Sequence, residues 1–434
     1  MTDQKTTDPR TAQLLEQAES LRRSGRNGEA VRLLEQVVSG DPQNATALNA
    51  LGLQALARDD AAAAAAFFGR AAQADPGAAP LWMNLAKAQR MTGDVEGERR
   101  SLHRVLDTDQ RHFMGLLRLA ELHERVGEDA LAVQRWSAVL TLGAGIADLP
   151  APLREVLDRA QAFVDRNRQA FAATIDGALQ NERGILEGRD RRRFDACIDT
   201  VLGRRSIYLN ECMGVHYPFL PADEFFDSEH FPWFPDIEAQ TAAIREEYEA
   251  LLADGGMAFK PYVDLLPGTP ETKWSALDKS RDWSAFHLWR HGAPVQEACE
   301  RCPVTARALE GLPRPEIAGR APTAFFSILG PKSRLPAHTG VSNVRAIVHL
   351  PLVVPPGCSF RVGGETRMWE EGRAFAFDDT IEHEAVNNSD LPRAVLIFDV
   401  WNPHLSEAER SMLRLFFLAA DASGHNPDPG RSAH

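Results

Sequence analysis

Apolar and small residues in the first third of the chain recur on a lattice of 34 residues, the kind of period that marks a stacked repeat. Gly25, Gly93 and Gly127 share one lattice place, with Asp59 in the fourth position. Ala30, Ala64 and Ala132 share another, with Glu98 as the exception, and Leu34, Phe68, Leu102 and Trp136 share a third. Pro42 and Pro76 each follow an Asp at the same interval. Within a period the apolar positions fall at helical spacing, as in Ala30, Leu33, Leu34 and Val37. The pattern predicts helical pairs in which a small residue lets two backbones approach while the large one beside it fills the groove. Helical spacing continues over 150–200 through Leu153, Val156, Leu157 and Ala160, with the charged runs 165–169 and 187–193 as solvated faces. A segment dense in Pro and Phe, 217–235, predicts an ordered connection. One amphipathic helix is expected over 237–253, ending at Gly255 and Gly256.

The helical period resembles the tetratricopeptide repeat over about 11–145, most clearly in the copy carrying Leu51-Gly52, Ala64, Phe68 and Pro76. One such pair cannot bury its apolar face alone, so copies stack, and the resemblance implies a concave surface for a protein or peptide partner. A spacer, or a surface for the rest of the chain, is the alternative. Composition narrows the remaining classes. With 48 basic residues against 61 acidic ones, a net charge of −13 argues against nucleic acid as the partner. No apolar run approaches the roughly 18 residues of a membrane span. The start MTDQKTTDPR has no apolar stretch behind it, and five cysteines do not make a disulfide framework, so a cytoplasmic protein is expected.

From 321 onward short β-rich runs alternate with Gly, Pro and Asn: Ala324–Leu329, 344–352, Cys358–Val362, 373–377 and Arg393–Trp401. Strands at this spacing predict a small barrel or jelly roll. In 344–352 the period of two puts Arg345, Ile347 and His349 on one face and Val344, Ala346, Val348 and Leu350 on the other. An Arg and a His inside an apolar run need something polar to face, since burying them unpaired is costly. His338 precedes this run and His383 follows it. Arg393 lies ten residues beyond His383, across the turn segment NNSDLP, so that the two could come from adjacent antiparallel strands. Taken singly, each of these is more often a structural histidine or a surface cation.

Together, HTGVSNVRAIVHLPL from His338 and WEEGRAFAFDDTIEHEAVNNSDLPRAVLIFDVW from Trp369 resemble the aspartyl/asparaginyl β-hydroxylase family, with HYPFLPADEFF, RDWSAFHLW and FFSILGPKSRLPAHTG extending the likeness from Tyr217 to Arg410. The resemblance implies a multi-domain α + β chain. An all-α repeat solenoid (11–145) and a helical linker (146–215) would precede a double-stranded β-helix, jelly-roll or cupin-like domain (216–412), followed by a helix end and disordered tail (413–434). It implies an iron(II)- and 2-oxoglutarate-dependent dioxygenase using O2, with His338 and His383 as metal ligands. Most 2-oxoglutarate oxygenases carry an acid two residues after the first histidine. Here that place is Gly340, in keeping with this family. Arg393 matches the residue that pairs with the distal carboxylate of 2-oxoglutarate, a task suited to a planar two-pronged donor. Ser327, Trp283 and His349 match residues lining the same cosubstrate pocket.

Arg345 is the expected substrate-binding residue, but better-studied animal members have a second Arg where this chain has Ile347. Asp378, Asp379 and Asp399 are candidates to accept the free N–H of a metal-bound imidazole, or else belong to turns and strand ends. Cys299 and Cys302 form a CxxC without a second pair or nearby histidines, so no role is assigned, and the loss of the family's disulfide partner fits a reducing compartment. The expected reaction is hydroxylation of an unactivated C–H bond, at the β-carbon of Asp or Asn in a protein or peptide. Alternatives are a lipid acyl chain or small molecule with the same cofactors, and a non-enzymatic repeat adaptor.

Overall fold

A computed structural model describes residues 8–253 and 255–423 and divides into two compact units at Gly184 and Ile185. The first unit is four helical pairs: Pro9–Arg23 with Asn27–Gly40, Ala45–Leu56 with Ala61–Ala74, Ala79–Thr92 with Val95–Thr108, and Phe113–Arg125 with Asp129–Gly143. The glycine place of the lattice is the turn inside each pair. Gly25, Gly93 and Gly127 have φ of 78°, 75° and 75°, and Asp59 adopts 57° in the same place. That left-handed backbone is open to glycine and tolerated by Asp, which explains both the rule and its exception. The alanine place is where helices touch: Ala30, Ala64 and Ala132 are buried, and Glu98 in their stead is buried against Arg125. At the crossing itself, a Cβ on Gly52 would stand 2.6 Å from the Phe68 ring.

The expected linker 146–215 does not exist as one piece. Its first part is the helix Ala151–Leu179, whose Leu157, Ala160, Phe163 and Val164 join Leu116, Leu117, Trp136 and Val139 in one apolar cluster. An amphipathic helix beside an unfinished repeat buries the apolar face that the last pair would otherwise expose. The second part, including Gly188–Val201, belongs to the other unit.

The second unit is built on antiparallel strands: β1 (Lys260–Pro261), β2 (Trp283–Arg290), β3 (Ala293–Pro294), β4 (Ala324–Leu329), β5 (Ser333–His338), β6 (Arg345–Val353), β7 (Cys358–Val362), β8 (Glu365–Met368), β9 (Phe375–Phe377), β10 (His383–Asn387) and β11 (Arg393–Trp401). One sheet runs β1-β2-β4-β11-β6-β9 with β3 on β2, and a smaller one runs β5-β10-β7-β8. The large sheet is apolar on both faces. Phe326, Val348, Leu350, Leu396 and Phe398 pack outward against Ile237, Ile244, Tyr248 and Leu309. Trp283, Leu329 and Val395 face a second cluster with Leu335, Phe360, Val362 and Ala385 of the small sheet. The sidedness expected for β6 is observed: Ala346, Val348 and Leu350 lie in the outer core, while Arg345, Ile347 and His349 line the space on the inner face.

Three expectations need correction. The single helix over 237–253 is two, Phe234–Glu238 and Thr241–Leu252. His383 and Arg393 are not on paired strands, because β10 pairs with β5 and β7 while β11 pairs with β4 and β6. The boundary at 412 cuts through one continuous helix, Glu407–Ala422, whose N-terminus is a capping box between Ser406 and Glu409. The tail expected after it, 424–434, lies outside the described residues.

Candidate active site

Between the sheets of the second unit lies a cavity of about 2040 Å³ that His338, His383, Arg393, Ser327, Trp283, His349 and Arg345 all line. The two histidines are 45 residues apart in sequence yet directly opposite each other, because β5 and β10 pair antiparallel with His338 against His383. Their ring centroids are 4.0 Å apart. His338 Nδ1 donates to the Pro336 carbonyl at 2.7 Å and His383 Nδ1 to the Ile381 carbonyl at 3.0 Å. A carbonyl only accepts, so each ring carries its proton on Nδ1 and leaves the Nε2 lone pair bare. Burial holds His338 down to about 4 and His383 well below the usual imidazole range, with His338 itself as a further cause for His383. Both rings are therefore neutral at physiological pH, the form that binds a metal.

Backbone carbonyls two residues upstream thus do what Asp378, Asp379 and Asp399 were candidates for. Asp378 Oδ1 accepts from the Thr380 N–H at 3.0 Å and its hydroxyl at 2.6 Å, while Oδ2 takes Asn210 at 2.7 Å. Asp399 accepts the Thr323 N–H at 2.8 Å and Arg345 Nη1 at 2.8 Å. Asp379 stands 3.7 Å from Arg345 Nη2, and burial raises its carboxyl to about 7.

Among the described residues no group of three His, Cys, Asp or Glu side chains is arranged to hold a metal. The reason is visible at Gly340, where a Cβ would stand 2.1 Å from Asp379 Oδ2. The Asp379 carboxylate already fills the room that a side chain at 340 would need. Gly340→Asp is therefore expected to destabilise the protein by about 1–3 kcal/mol through overpacking and to add no metal affinity. A thermal melt paired with an iron(II) titration checks this, and tighter iron with an unchanged melt would contradict it.

Arg393 lies in the same cavity on β11, 1% exposed, with Nε and Nη1 lacking any partner among the described residues. Its guanidinium sits 4.7 Å over the Trp369 ring. Burial lowers its pKa to about 10, which still leaves it charged. A buried cation with open donors calls for an anion, since an uncompensated charge in a dry interior is costly. Ser327, one strand away on β4, accepts the Trp283 indole N–H at 3.1 Å, so its own hydroxyl proton is free for a further acceptor. His349 Nδ1 accepts from Trp369 Nε1 at 3.3 Å, and burial with Arg393 nearby drives its pKa well down.

Arg345, expected to meet an acidic substrate, has its charge matched by Asp399 and Asp379. Ile347, beside it on the inner face, adds an apolar surface. All five cysteines are free. Cys302 is buried and pushed up to about 12, Cys299 donates to the Leu288 carbonyl, and the CxxC forms no disulfide.

The site is thus a cavity between two antiparallel sheets, with two neutral imidazoles on one sheet and a buried guanidinium on the other. The family described as Aspartyl/Asparaginyl beta-hydroxylase matches residues 238–403. Aspartate beta-hydroxylase domain-containing protein 1 of Mus musculus is 40% identical over 276 residues, covering 62% of this chain and 69% of that protein. The chain belongs to the aspartyl/asparaginyl beta-hydroxylase family.

The aspartyl/asparaginyl beta-hydroxylase of Homo sapiens is 35% identical over 185 residues, 42% of this chain and 24% of that one. The chain thus spans about a quarter of the human relative. An ornithine lipid ester-linked acyl 2-hydroxylase of Rhizobium tropici is 32% identical over 201 residues, 46% of this chain and 67% of that one. Among solved structures the chain is similar to MamA, at 16% identity and a TM-score of 0.32 over 41% of this chain and 97% of that one.

Proposed function

We propose that the chain is an iron(II)- and 2-oxoglutarate-dependent dioxygenase that hydroxylates an unactivated C–H bond. The observation that carries this reading is Arg393, buried without a counter-ion among the described residues in the cavity that holds the His338 and His383 pair. Numbered one to eight, β4 to β11 run 1-8-3-6 in the large sheet and 2-7-4-5 in the small one, an order that supports a double-stranded β-helix. When bound, iron(II), 2-oxoglutarate and O2 would couple oxidative decarboxylation to succinate and CO2 with delivery of one oxygen atom to the substrate carbon.

The chain's own residues prepare the site for this. The Nε2 lone pairs of His338 and His383 would hold the metal, with backbone carbonyls keeping their protons on Nδ1. Arg393 would grip the distal carboxylate of 2-oxoglutarate through two charge-assisted bonds, aided by the Ser327 hydroxyl that Trp283 orients. Phe360, Phe377 and Leu335 wall the site with apolar surface and exclude water. The helical repeats suit a protein or peptide partner, consistent with a polypeptide substrate.

The resemblance directs this chemistry to the β-carbon of Asp or Asn in a protein or peptide. A second reading, an acyl chain or another uncharged substrate, is favoured by two features. Arg345 is already ion-paired and Ile347 brings no charge, so an added substrate carboxylate would find no unmatched cation there. The relative from Rhizobium tropici, by its name, acts on an acyl group.

Succinate release on an aspartyl peptide, its asparaginyl counterpart and an acyl lipid separates these readings. An uncharged substrate is expected to outpace the aspartyl peptide. Ile347→Arg should raise kcat/KM for the aspartyl peptide by roughly 10- to 100-fold, the worth of one hydrogen bond to a charged group. Preference for aspartate by the unaltered protein would count against the uncharged-substrate reading. No iron-dependent succinate with any of the three would count against the dioxygenase itself.

A further inference from the structure

The C-terminal helix Glu407–Ala422 is apolar on more than the face it buries. Leu413 and Phe417 pack beneath it with Val344, Trp401 and Leu405. On its outer side Met412, Leu415, Phe416 and Leu418 are each more than half exposed, at 64%, 58%, 53% and 57%. Between residues 411 and 420 its only charge is Arg414. A helix of that composition, left open on one side, marks a surface that meets something apolar.

This face continues into the mouth of the cavity. Phe416 lines the opening, and so do the exposed Met213, Leu266, Val295 and Val341. Phe219 lies on the adjoining segment with its ring fully exposed and its backbone at a φ of 68°. Its neighbours Tyr217 and Leu220 pack into the cluster under the helix, and the Tyr217 hydroxyl bonds Glu409 at 3.0 Å. The phenyl ring is thus presented outward from a fixed base beside the apolar helix.

Charge around the same opening runs against that of the molecule. The chain carries a net −13, yet the exposed charges lining the cavity are Lys260, Lys273, Lys279, Arg290 and Arg301 against Asp264 and Glu297. Two copies of an acidic chain gain little by meeting there. Cations interleaved with exposed aliphatic and aromatic side chains match the boundary of an anionic bilayer, where apolar groups enter the acyl region and cations meet phosphates. The cavity, at about 2040 Å³, exceeds the ~300–1,000 Å³ usual for a small ligand and leaves room for an extended chain beside a cosubstrate.

We propose that the cavity mouth and the outer face of the C-terminal helix dock on an anionic phospholipid surface, so that the substrate reaches the histidine pair out of the membrane plane. The proposal builds on the hydroxylase reading of the cavity and deepens its acyl branch. Its test needs neither iron nor turnover, so each can fail alone.

The full chain is floated with vesicles of phosphatidylcholine alone and of phosphatidylcholine mixed with phosphatidylglycerol. Binding to the anionic vesicles, weakened by salt, is expected, with little binding to the neutral ones. Leu415→Ser with Leu418→Ser, and separately Phe219→Ser, should each lower the bound fraction roughly tenfold or more. Arg290→Glu with Lys260→Glu should do the same, and melting temperatures verify that every variant is folded. Absence of flotation, or flotation indifferent to all three variants, overturns the proposal. So does light scattering that finds a dimer dissociated by Leu415→Ser with Leu418→Ser, which assigns the face to a second copy.

Discussion

Removing either imidazole, as His338→Ala or His383→Ala, is expected to lower succinate release at limiting iron(II) by at least the ~100-fold that losing an outer-shell partner already costs a metal site. The expectation is strong because the protein offers few alternatives. No third His, Cys, Asp or Glu among the described residues joins the pair, and Gly340 leaves no acid on the strand beyond His338. The two rings are also prepared in a way that substitution cannot repair. Each has its tautomer set by a carbonyl two residues upstream, and burial keeps each neutral. Isothermal titration with manganese(II), a redox-stable stand-in, should show the affinity lost together with the turnover. Unchanged turnover in either variant would remove the metal from the reading.

Arg393→Met is expected to raise the dissociation constant for 2-oxoglutarate by roughly 30- to 3,000-fold, the range for breaking one partner of a buried charge pair. The same substitution should leave the ligand-free protein as stable or more so. Methionine has similar length and no charge, and replacing an uncompensated buried cation by an apolar side chain relieves its desolvation penalty. Differential scanning fluorimetry with and without 2-oxoglutarate reads both effects at once. The unaltered protein should gain melting temperature with the cosubstrate, whereas the variant should start as high or higher and gain little. A variant that melts lower and still shifts with 2-oxoglutarate would mean that Arg393 serves the fold and not the ligand.

Much of this architecture was legible because its determinants are local. The places 25, 59, 93 and 127 share one left-handed turn, so their residue types announce it. β4, β7 and β11 were readable to the residue because apolar side chains cluster or alternate in them between turn residues. Of the strands that escaped notice, β5 (SRLPAH), β8 (ETRM) and β10 (HEAVN) are short and polar, while the longer, apolar β2 (WSAFHLWR) lies upstream of the run of strands that begins at 321. Two of these carry the histidines. The histidine pair could therefore be named by family resemblance, while its register was invisible to periodicity.

Arg393 was misjudged as the neighbour of His383 because a turn between two runs suggests a hairpin, whereas here the chain crosses to the other sheet. The carboxylates stayed open between two readings, and Asp378 and Asp399 prove to serve a turn and a strand end. Nothing in sequence distinguishes an Asp near a histidine from the anonymous carbonyl at Pro336 or Ile381 that takes the ring proton.

The pairing of β10 with β5 slips between His383 and Ala385, with one extra residue on the β5 side, around Pro336 and Ala337. Proline lacks the N–H a regular ladder would need, so it suits such an irregularity. Because side chains alternate across a strand, a regular ladder counted from Leu335 would put position 338 on the opposite face, and the extra residue is what sets His338 on the same face as His383. The levelling of the two imidazoles thus hangs on one irregular step of the backbone, a property of position that neither histidine encodes by itself.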